Sequence, residues 1–226
     1  MRDSSLNIIL SEIEVRILGC LIEKEATTPD AYPLTLNSLV SACNQKSNRD
    51  PVMELPEHEV TSAVNSLIDK TLVSIYQSSR NRIPKYQHKL RFRAFDEFNF
   101  SLSQLAVIGV LFLRGPQTLG EIRTRCARVH EFTDLDAVIA TLSQLEQHAD
   151  GPYATMLPRQ AGRKESRYAH LFSGEVEQAE VMVGESQSTR TNNQSRLEEL
   201  ELEVVELKQK LLDLEQRFGE FAQQFD

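Results

Sequence analysis

The 226-residue chain contains no tryptophan, few aromatic residues (7%) and only three cysteines. Hydrophobic residues still make up 40% of it, which is enough for a packed core. A core with so few aromatic rings has to be built mainly from aliphatic side chains. We therefore predict a globular protein with an aliphatic core.

Long apolar segments are also missing. The longest apolar run covers nine residues, 105–113, whereas a membrane-spanning helix needs roughly 20. The first ten residues lack the extended apolar stretch and the cleavage site of a signal peptide. These absences predict a cytoplasmic protein with no membrane partner.

The cysteines, Cys20, Cys43 and Cys126, are odd in number and have no Cys-x-x-Cys spacing. Such a set fits neither a disulfide framework nor a zinc site. We predict reduced, buried thiols and no metal.

Basic residues are in deficit overall, with 25 Lys and Arg against 33 Asp and Glu, a net charge of −8. Residues 173–226 carry this excess, because they hold 5 basic and 13 acidic side chains. Residues 1–98 hold 12 and 13, and residues 99–172 hold 8 and 7. The body is therefore nearly neutral, and the net charge does not exclude a nucleic-acid partner.

The body contains a repeat that begins with two capping boxes. Ser11-x-x-Glu14 and Ser101-x-x-Gln104 each predict a helix start, because the hydroxyl and the carboxylate or amide satisfy one another's backbone N–H groups. Each box precedes a strongly apolar segment, so we expect two buried first helices and two separately nucleated cores.

Second and third helices follow in both copies. Thr35 and Thr118 predict N-caps of helices that reach Cys43 and Cys126, each eight residues on. Third helices are predicted after Pro56 in a first turn and after a cap at Thr133. β-rich stretches come next, at 72–76 and 86–92 in the first copy and at 153–157 and 167–172 in the second.

Three helices and then a hairpin, in roughly 80 residues, is the order of a winged helix-turn-helix. A single α/β domain is the alternative, but strands that occur only in hairpins provide no parallel crossovers for it. We predict a mainly α fold with small β-hairpins (α+β), divided into winged-helix domains at 1–98 and 99–172, an acidic flexible linker at 173–195 and a coiled-coil helix at 196–226.

Three segments also resemble the YceH-like family of bacterial proteins. They are GCLIEK at 19–24, TPDAYPLTLN at 28–37 and ACNQKSNRDPVM at 42–53, and KESRYAH at 164–170 resembles the second motif of that family. The resemblance covers about residues 10–175 and implies a tandem winged-helix fold in a bacterial cytosolic protein. It implies little about activity, and Arg163 stands where the family pattern leads us to expect an uncharged polar residue.

The candidate contacts for nucleic acid or a partner protein are basic residues of the hairpins, or wings, and of one loop. Segment 77–93 contains six basic residues and no acid, interleaved with Tyr86 and Phe92, and cations beside an aromatic ring suit phosphate binding. The alternative is that these charges only solubilise an edge strand. The predicted contact residues are Arg80, Arg82, Lys85, Lys89 and Arg91 of the first wing, Lys46 and Arg49 of loop 44–51, and Arg163, Lys164 and Arg167 of the second wing.

Acidic residues begin both third helices, which in a winged helix enter the major groove. Glu54, Glu57 and Glu59 precede or open the first, and Asp134 and Asp136 open the second. Carboxylates near phosphates weaken binding, although the same acids favour a helix N-terminus. Weakly sequence-specific binding through the wings is therefore favoured over base readout. The five histidines have no ligand spacing and no phosphate loop occurs, so we predict no catalytic residues, no cofactor and no small-molecule substrate.

The tail carries a heptad repeat with apolar residues at alternating steps of three and four. This pattern predicts a coiled coil. Its seam, the predicted dimerisation surface, is Leu197, Leu200, Val204, Leu207, Leu211, Leu214, Phe218 and Phe221, with Phe225 following. Flanking pairs such as Arg196 with Glu201 are opposite in charge, which favours a parallel homodimer; the alternative is a helix that folds back on the wings.

Taken together, these patterns predict a non-catalytic tandem winged-helix protein that associates with DNA through its wings. A different class of function stays open, a protein-interaction adaptor that grips a partner chain with its winged helices. Basic wings favour the first hypothesis and acidic third helices favour the second.

Overall fold

The computed structural model describes residues 9–78, 81–91, 99–159 and 165–174. All of them lie in one compact unit, Met1–Val176, while Glu177–Asp226 forms a second unit outside the described residues. We call residues 9–91 the first module and residues 99–174 the second module. The predicted coiled coil, with its seam from Leu197 to Phe221, lies outside the described residues.

The first module contains three helices and a small sheet. In chain order its elements are α1 (Glu12–Thr27), a 3₁₀ turn (Pro29–Ala31), β1 (Leu34–Thr35), α2 (Leu36–Cys43), α3 (Glu57–Asp69), β2 (Val73–Ser78) and β3 (Asn81–His88). The second module repeats this order with α4 (Leu102–Arg114), α5 (Leu119–Cys126), α6 (Leu135–Glu146), β4 (Ala154–Met156) and β5 (Tyr168–His170). The predicted α+β class, with small antiparallel hairpins after three helices, is confirmed.

Local signals place the helix ends largely as predicted. Ser11 and Ser101 form complete capping boxes, and the Thr35 side chain accepts a hydrogen bond from Ser38 N. Two predicted positions are wrong by one residue. Pro56 is itself the N-cap of α3, and the N-cap of α6 is Asp134, whose carboxylate accepts from Ala137 N at 2.8 Å. A carboxylate is the stronger acceptor at a helix N-terminus, which explains why it replaces Thr133.

Both modules close their hairpin against the segment that precedes the second helix. In the first, β1 pairs with β3 and β3 with β2, all antiparallel, so that Leu34 lies opposite Tyr86. In the second, Gln117 takes the place of β1 and exchanges two backbone hydrogen bonds with Tyr168, at 3.0 and 2.7 Å. The repeat read from the sequence is therefore a repeat of strand pairing as well.

The two modules share one core. The buried side chains of both form a single continuous cluster, with α1 packed along α4, where the sequence led us to expect two cores. Two backbone bonds also join them, from Leu10 N to Phe172 O and from Asp50 N to Leu113 O, both 2.8 Å. Two strongly apolar helices have more surface to bury than one small hairpin can cover, and each covers the other.

Aromatic rings contribute more to this core than the composition predicts. In the second module Phe172 stacks on Tyr153 with ring centroids 5.1 Å apart and meets Phe112 edge-on at 5.1 Å, while Phe100 meets Tyr153 edge-on at 4.8 Å. The aliphatic core holds for the first module only, because the few aromatic residues are concentrated in the second. Among the described residues, no helix is both long and apolar enough to cross a membrane.

Candidate nucleic-acid interface

The first wing is the β2–β3 hairpin, and its outer part is only two strands wide. β1 covers β3 no further than Lys85, the partner of Thr35, so the residues of β3 before it have a free edge. Pro84, which has no N–H to offer a third strand, lies on that edge, where a proline costs no ladder hydrogen bond. The wing thus projects beyond the sheet as a two-stranded arm.

The predicted basic residues of this wing lie along β3 and just after it. Arg82 lies within β3, Lys85 and Lys89 are partly exposed, and Arg91 is exposed. Arg80, at the tip, lies outside the described residues. Lys85 and the residues that follow it extend toward Arg91, which forms a bridge with Phe100 at the junction between the modules.

Three apolar side chains of the same wing are exposed, and the sequence reading missed them. Ile75, Tyr76 and Ile83 are exposed by 50%, 49% and 58%. Tyr86, read from the sequence as the aromatic interleaved with the basic residues, instead packs against the core, and Tyr76 is the exposed ring. The signal available in the sequence was a run of apolar residues, 75–76, too close to a hairpin tip to reach a core.

The third helices present different surfaces in the two modules. Exposed His58, Ser62 and Asn65 make the outer face of α3 polar, and Glu54, Glu57 and Glu59 are exposed at its start. The outer face of α6 is partly apolar instead, with Leu135 exposed by 43% and Ile139 by 41%. The acid at the start of α6 has a structural role, because Asp134 is the N-cap and the Ala137 N–H lowers the pKa of its carboxyl.

Arg49, a predicted contact residue, is buried, which corrects the expectation that it lies on a contact surface. Its guanidinium is 0% exposed and binds the Glu23 carboxylate through two nitrogens, at 2.8 and 3.3 Å. It also donates to the Ala42 carbonyl and the Gln45 amide, at 3.0 and 3.1 Å. Lys46 of the same loop is exposed, as a contact residue requires.

The rest of loop 44–51 positions α3. The Asn44 side chain accepts from Leu55 N and donates to Leu55 O, both at 2.8 Å, which pins the segment entering the helix. Buried Arg16 of α1 supports the loop from below, donating to Pro51 O at 2.6 Å and Cys43 O at 3.3 Å. Arg16 was not singled out from the sequence. Its burial could have been predicted, because α1 is apolar on nearly every face and an Arg within it is buried with the helix.

Of the three predicted contact residues in the second wing, the structure describes Arg167. Arg167 is partly exposed beside β5. Burial alone would raise the pKa of Glu121 on α5, but the Thr118 N–H, the charge of Arg125 and then the charge of Arg167 lower it below its usual value. Arg163 and Lys164 lie outside the described residues. On its outer surface β4 adds Met156, exposed by 54%.

The equivalent histidines of the two wings differ in environment. His88 Nε2 lies 3.0 Å from Glu25 Oε2, and its Nδ1 accepts from Leu90 N, so the proton is assigned to Nε2. His170 packs edge-on against Phe112 at 4.9 Å, and burial lowers its pKa to about 4. His170 is therefore neutral at physiological pH and belongs to the aromatic core.

All three cysteines are buried and reduced, as predicted. Burial raises the pKa of Cys126 to about 12, and a hydrogen bond with Cys20, together with burial, raises the pKa of Cys43. Within the described ranges no cluster of three or more His, Cys, Asp or Glu side chains could hold a metal ion.

The segment built in this way, from the start of α1 into the second wing, matches a known family model. Residues 10–163, more than half of the chain, match the family described as "Protein of unknown function, DUF480". The chain belongs to the DUF480 family. The match covers α1 to β4, so the DUF480 region includes the first module and the second module as far as β4.

Proposed function

We propose that this DUF480 protein is a tandem winged-helix, YceH-like protein that associates with nucleic acid through its wings and has no catalytic activity. The observation that carries the proposal is the row of cations, Lys85, Lys89 and Arg91, that follows a projecting two-stranded arm. Phosphate contacts from such a row supply affinity without base specificity.

The surface of α3 supports weak rather than strict sequence preference. Its exposed His58, Ser62 and Asn65 can hydrogen-bond to base edges, but three exposed glutamates at its start oppose close approach to phosphates. Binding through the wing, with α3 held back from the groove, accommodates both features.

A salt titration tests this proposal. Binding of a random-sequence DNA duplex by the full chain is expected to weaken steeply with salt, by a log–log slope of about 0.9 for each phosphate contact. Replacing Lys85, Lys89 and Arg91 together with Gln removes up to three contacts and flattens the slope accordingly. A matched variant with Arg2, Arg123 and Arg190 changed to Gln alters net charge equally and keeps the slope.

The second candidate function is a protein-interaction adaptor. It is favoured by the exposed apolar pair Leu135 and Ile139 on α6, a position where a DNA-reading helix carries polar side chains. Absence of DNA binding even at low salt supports the adaptor and contradicts the nucleic-acid proposal. Equal slopes for the wing variant and its matched control contradict the assignment to the first wing.

We also propose that the tail forms a parallel homodimer, which brings four winged modules to one ligand and raises avidity. The charge pattern around the heptad seam supports the dimer. We propose the cytoplasm as the place where this dimer acts. Sedimentation of a chain ending at Ser195 is expected to give a monomer and the full chain a dimer. The same oligomeric state for both contradicts the proposal.

A further inference from the structure

A cavity of about 190 Å³ lies where the two modules meet. α1 contributes Ile22, the loop after α2 contributes Asn48, and α4 and α5 provide most of the remaining wall. Apolar cavities of about 150 Å³ accommodate a benzene ring, so this volume suits a molecule with one ring or a short alkyl chain. Drug-sized ligands need more space.

The inner wall of the cavity is apolar. Ala106, Gly109, Val110 and Leu113 of α4 face Ile22 across it. Gly109 is what allows α1 to pass so close, because a Cβ there would lie 3.1 Å from Ile22 Cγ2. The inner wall of the cavity therefore presents mainly carbon atoms, which suit the apolar part of a ligand.

The rim is cationic. Arg114, Arg125 and Arg128 line it, and among the described residues the one acidic side chain in the lining is Glu23. The Glu23 carboxylate is already engaged by Arg49 at 2.8 Å and by Lys24 at 3.4 Å, so it offers little compensation to the rim. Arg125 has a partner in Glu121 at 3.4 Å.

Arg114 and Arg128 have no such carboxylate partner within the described ranges. Arg114 donates to the neutral amide oxygen of Asn48 at 2.6 Å. Burial and then the charge of Arg125 lower the pKa of Arg114, and the charges of Asp50 and Glu23 offset this only in part, so Arg114 is a partly desolvated cation whose charge is not fully compensated. Arg128 is exposed at the mouth of the cavity.

We infer that this cavity is a binding site for a small monocarboxylate with an apolar body, whose carboxylate lies between Arg114 and Arg128 and whose ring or chain lies against Val110 and Ile22. Arginine is suited to this role because its fork matches a carboxylate. Such a ligand touches both modules at once. This inference is independent of nucleic-acid binding.

Titration of the full chain with benzoate, followed by calorimetry and by methyl NMR, tests the site. Benzoate is expected to bind one to one and to shift the methyl signals of Ile22, Val110 and Leu113, while those of Leu67 in the distant part of the first module stay unchanged. Benzamide, which has the same shape without the charge, is expected to bind at least tenfold more weakly, and so is acetate, which lacks the apolar body.

Two variants test whether the rim arginines bind the carboxylate of the ligand. Arg128→Gln changes an exposed side chain, so it keeps the fold, and it is expected to weaken benzoate at least fivefold; Arg114→Gln is expected to weaken it more. Arg123→Gln is the matched control, because Arg123 is exposed on α5 but does not line the cavity. Equal binding of benzamide and benzoate, unchanged affinity in Arg128→Gln, or methyl shifts outside the cavity would overturn the inference.

Discussion

The buried ion pair between Arg49 and Glu23 shows how one residue can change role between sequence and structure. Burial alone would raise the pKa of the Glu23 carboxyl, but the hydrogen bonds and charge of Arg49, with Lys24 added, hold the pKa below its usual value. The pair therefore stabilises the fold while Glu23 is ionised. That contribution is present above pH 4.5, near the ordinary pKa, and is lost as the pH falls through the lower pKa of the folded state.

Arg49→Met is expected to lower the free energy of unfolding by about 3 kcal/mol at pH 7, since it leaves the Glu23 carboxylate half-desolvated and without its main partner. The deficit relative to the native protein narrows as the pH falls below 4.5 and through the lowered pKa of Glu23, because the carboxyl then takes up a proton. Urea unfolding of both proteins at pH 7 and pH 3.5 measures it. Lys46→Met, an exposed change in the same loop, is expected to stay within about 0.5 kcal/mol, and a deficit independent of pH would contradict the ion-pair explanation.

At the scale of elements, the approach of α1 to α4 decides how the modules pack. Gly19 is the closest point: a Cβ there would lie 2.8 Å from Leu113 Cγ and 3.0 Å from Phe112 Cβ. Leu113 Cγ can move when its side chain rotates, but Phe112 Cβ is fixed by the backbone of α4, so side-chain rotation alone cannot clear the contact. The glycine is therefore required by the close approach of two helices, because its α1 position needs no special backbone angle.

Gly19→Ala is expected to destabilise the protein by about 1–2 kcal/mol, because overpacking outweighs the gain in helix propensity. Gly120→Ala on α5 is the matched control, since nothing lies within 4 Å of the added methyl. It is expected to leave stability unchanged or raise it by up to about 1 kcal/mol. Thermal unfolding compares the two, and equal melting temperatures would show that α1 and α4 can move apart without cost.

For the whole molecule, the shared core makes the two modules one folding unit. α1 is buried by α4 as well as by its own module, and the bonds from Asp50 to Leu113 and from Leu10 to Phe172 cross the junction. A module separated from its partner would expose an apolar helix face that its own small sheet does not cover.

Cooperative loss of structure in both modules is therefore expected. Hydrogen exchange of the full chain at increasing urea, read by mass spectrometry on peptides from α1 and α4, should show both losing protection at the same urea concentration. Loss of protection in one helix at clearly lower urea would mean that each module folds on its own core, as the sequence alone suggests.

Local patterns could be predicted because their causes are local. The capping boxes at Ser11 and Ser101, and the thiols at the ends of α2 and α5, depend on residues within one or two helical turns. Contacts between side chains that are distant in sequence could not be predicted from such local patterns. Arg49 looked like a loop cation because Glu23 and Cys20 are 26 and 29 residues away.

The candidate interface also has one part that the sequence predicts and another that depends on tertiary contacts. Basic residues near a hairpin could be placed on a wing from the sequence, but the partial burial of Tyr86 against the core and the exposure of Tyr76 depend on which face of the sheet meets the core. Because a one-residue step in a strand reverses the face, composition cannot decide between neighbouring aromatics.

The sequence alone was enough to establish the twofold order of three helices and a hairpin, most of the caps that begin the helices and the concentration of the net negative charge in the tail. The joining of two modules into one core, the burial of Arg49 and the cavity with its arginine rim depend on the tertiary structure. The shared core and the cavity lie where α1 meets α4, and Arg49 is buried against α1 and α2. Glycine contacts and desolvated charges there link residues far apart in the chain, and no spacing along the sequence records them.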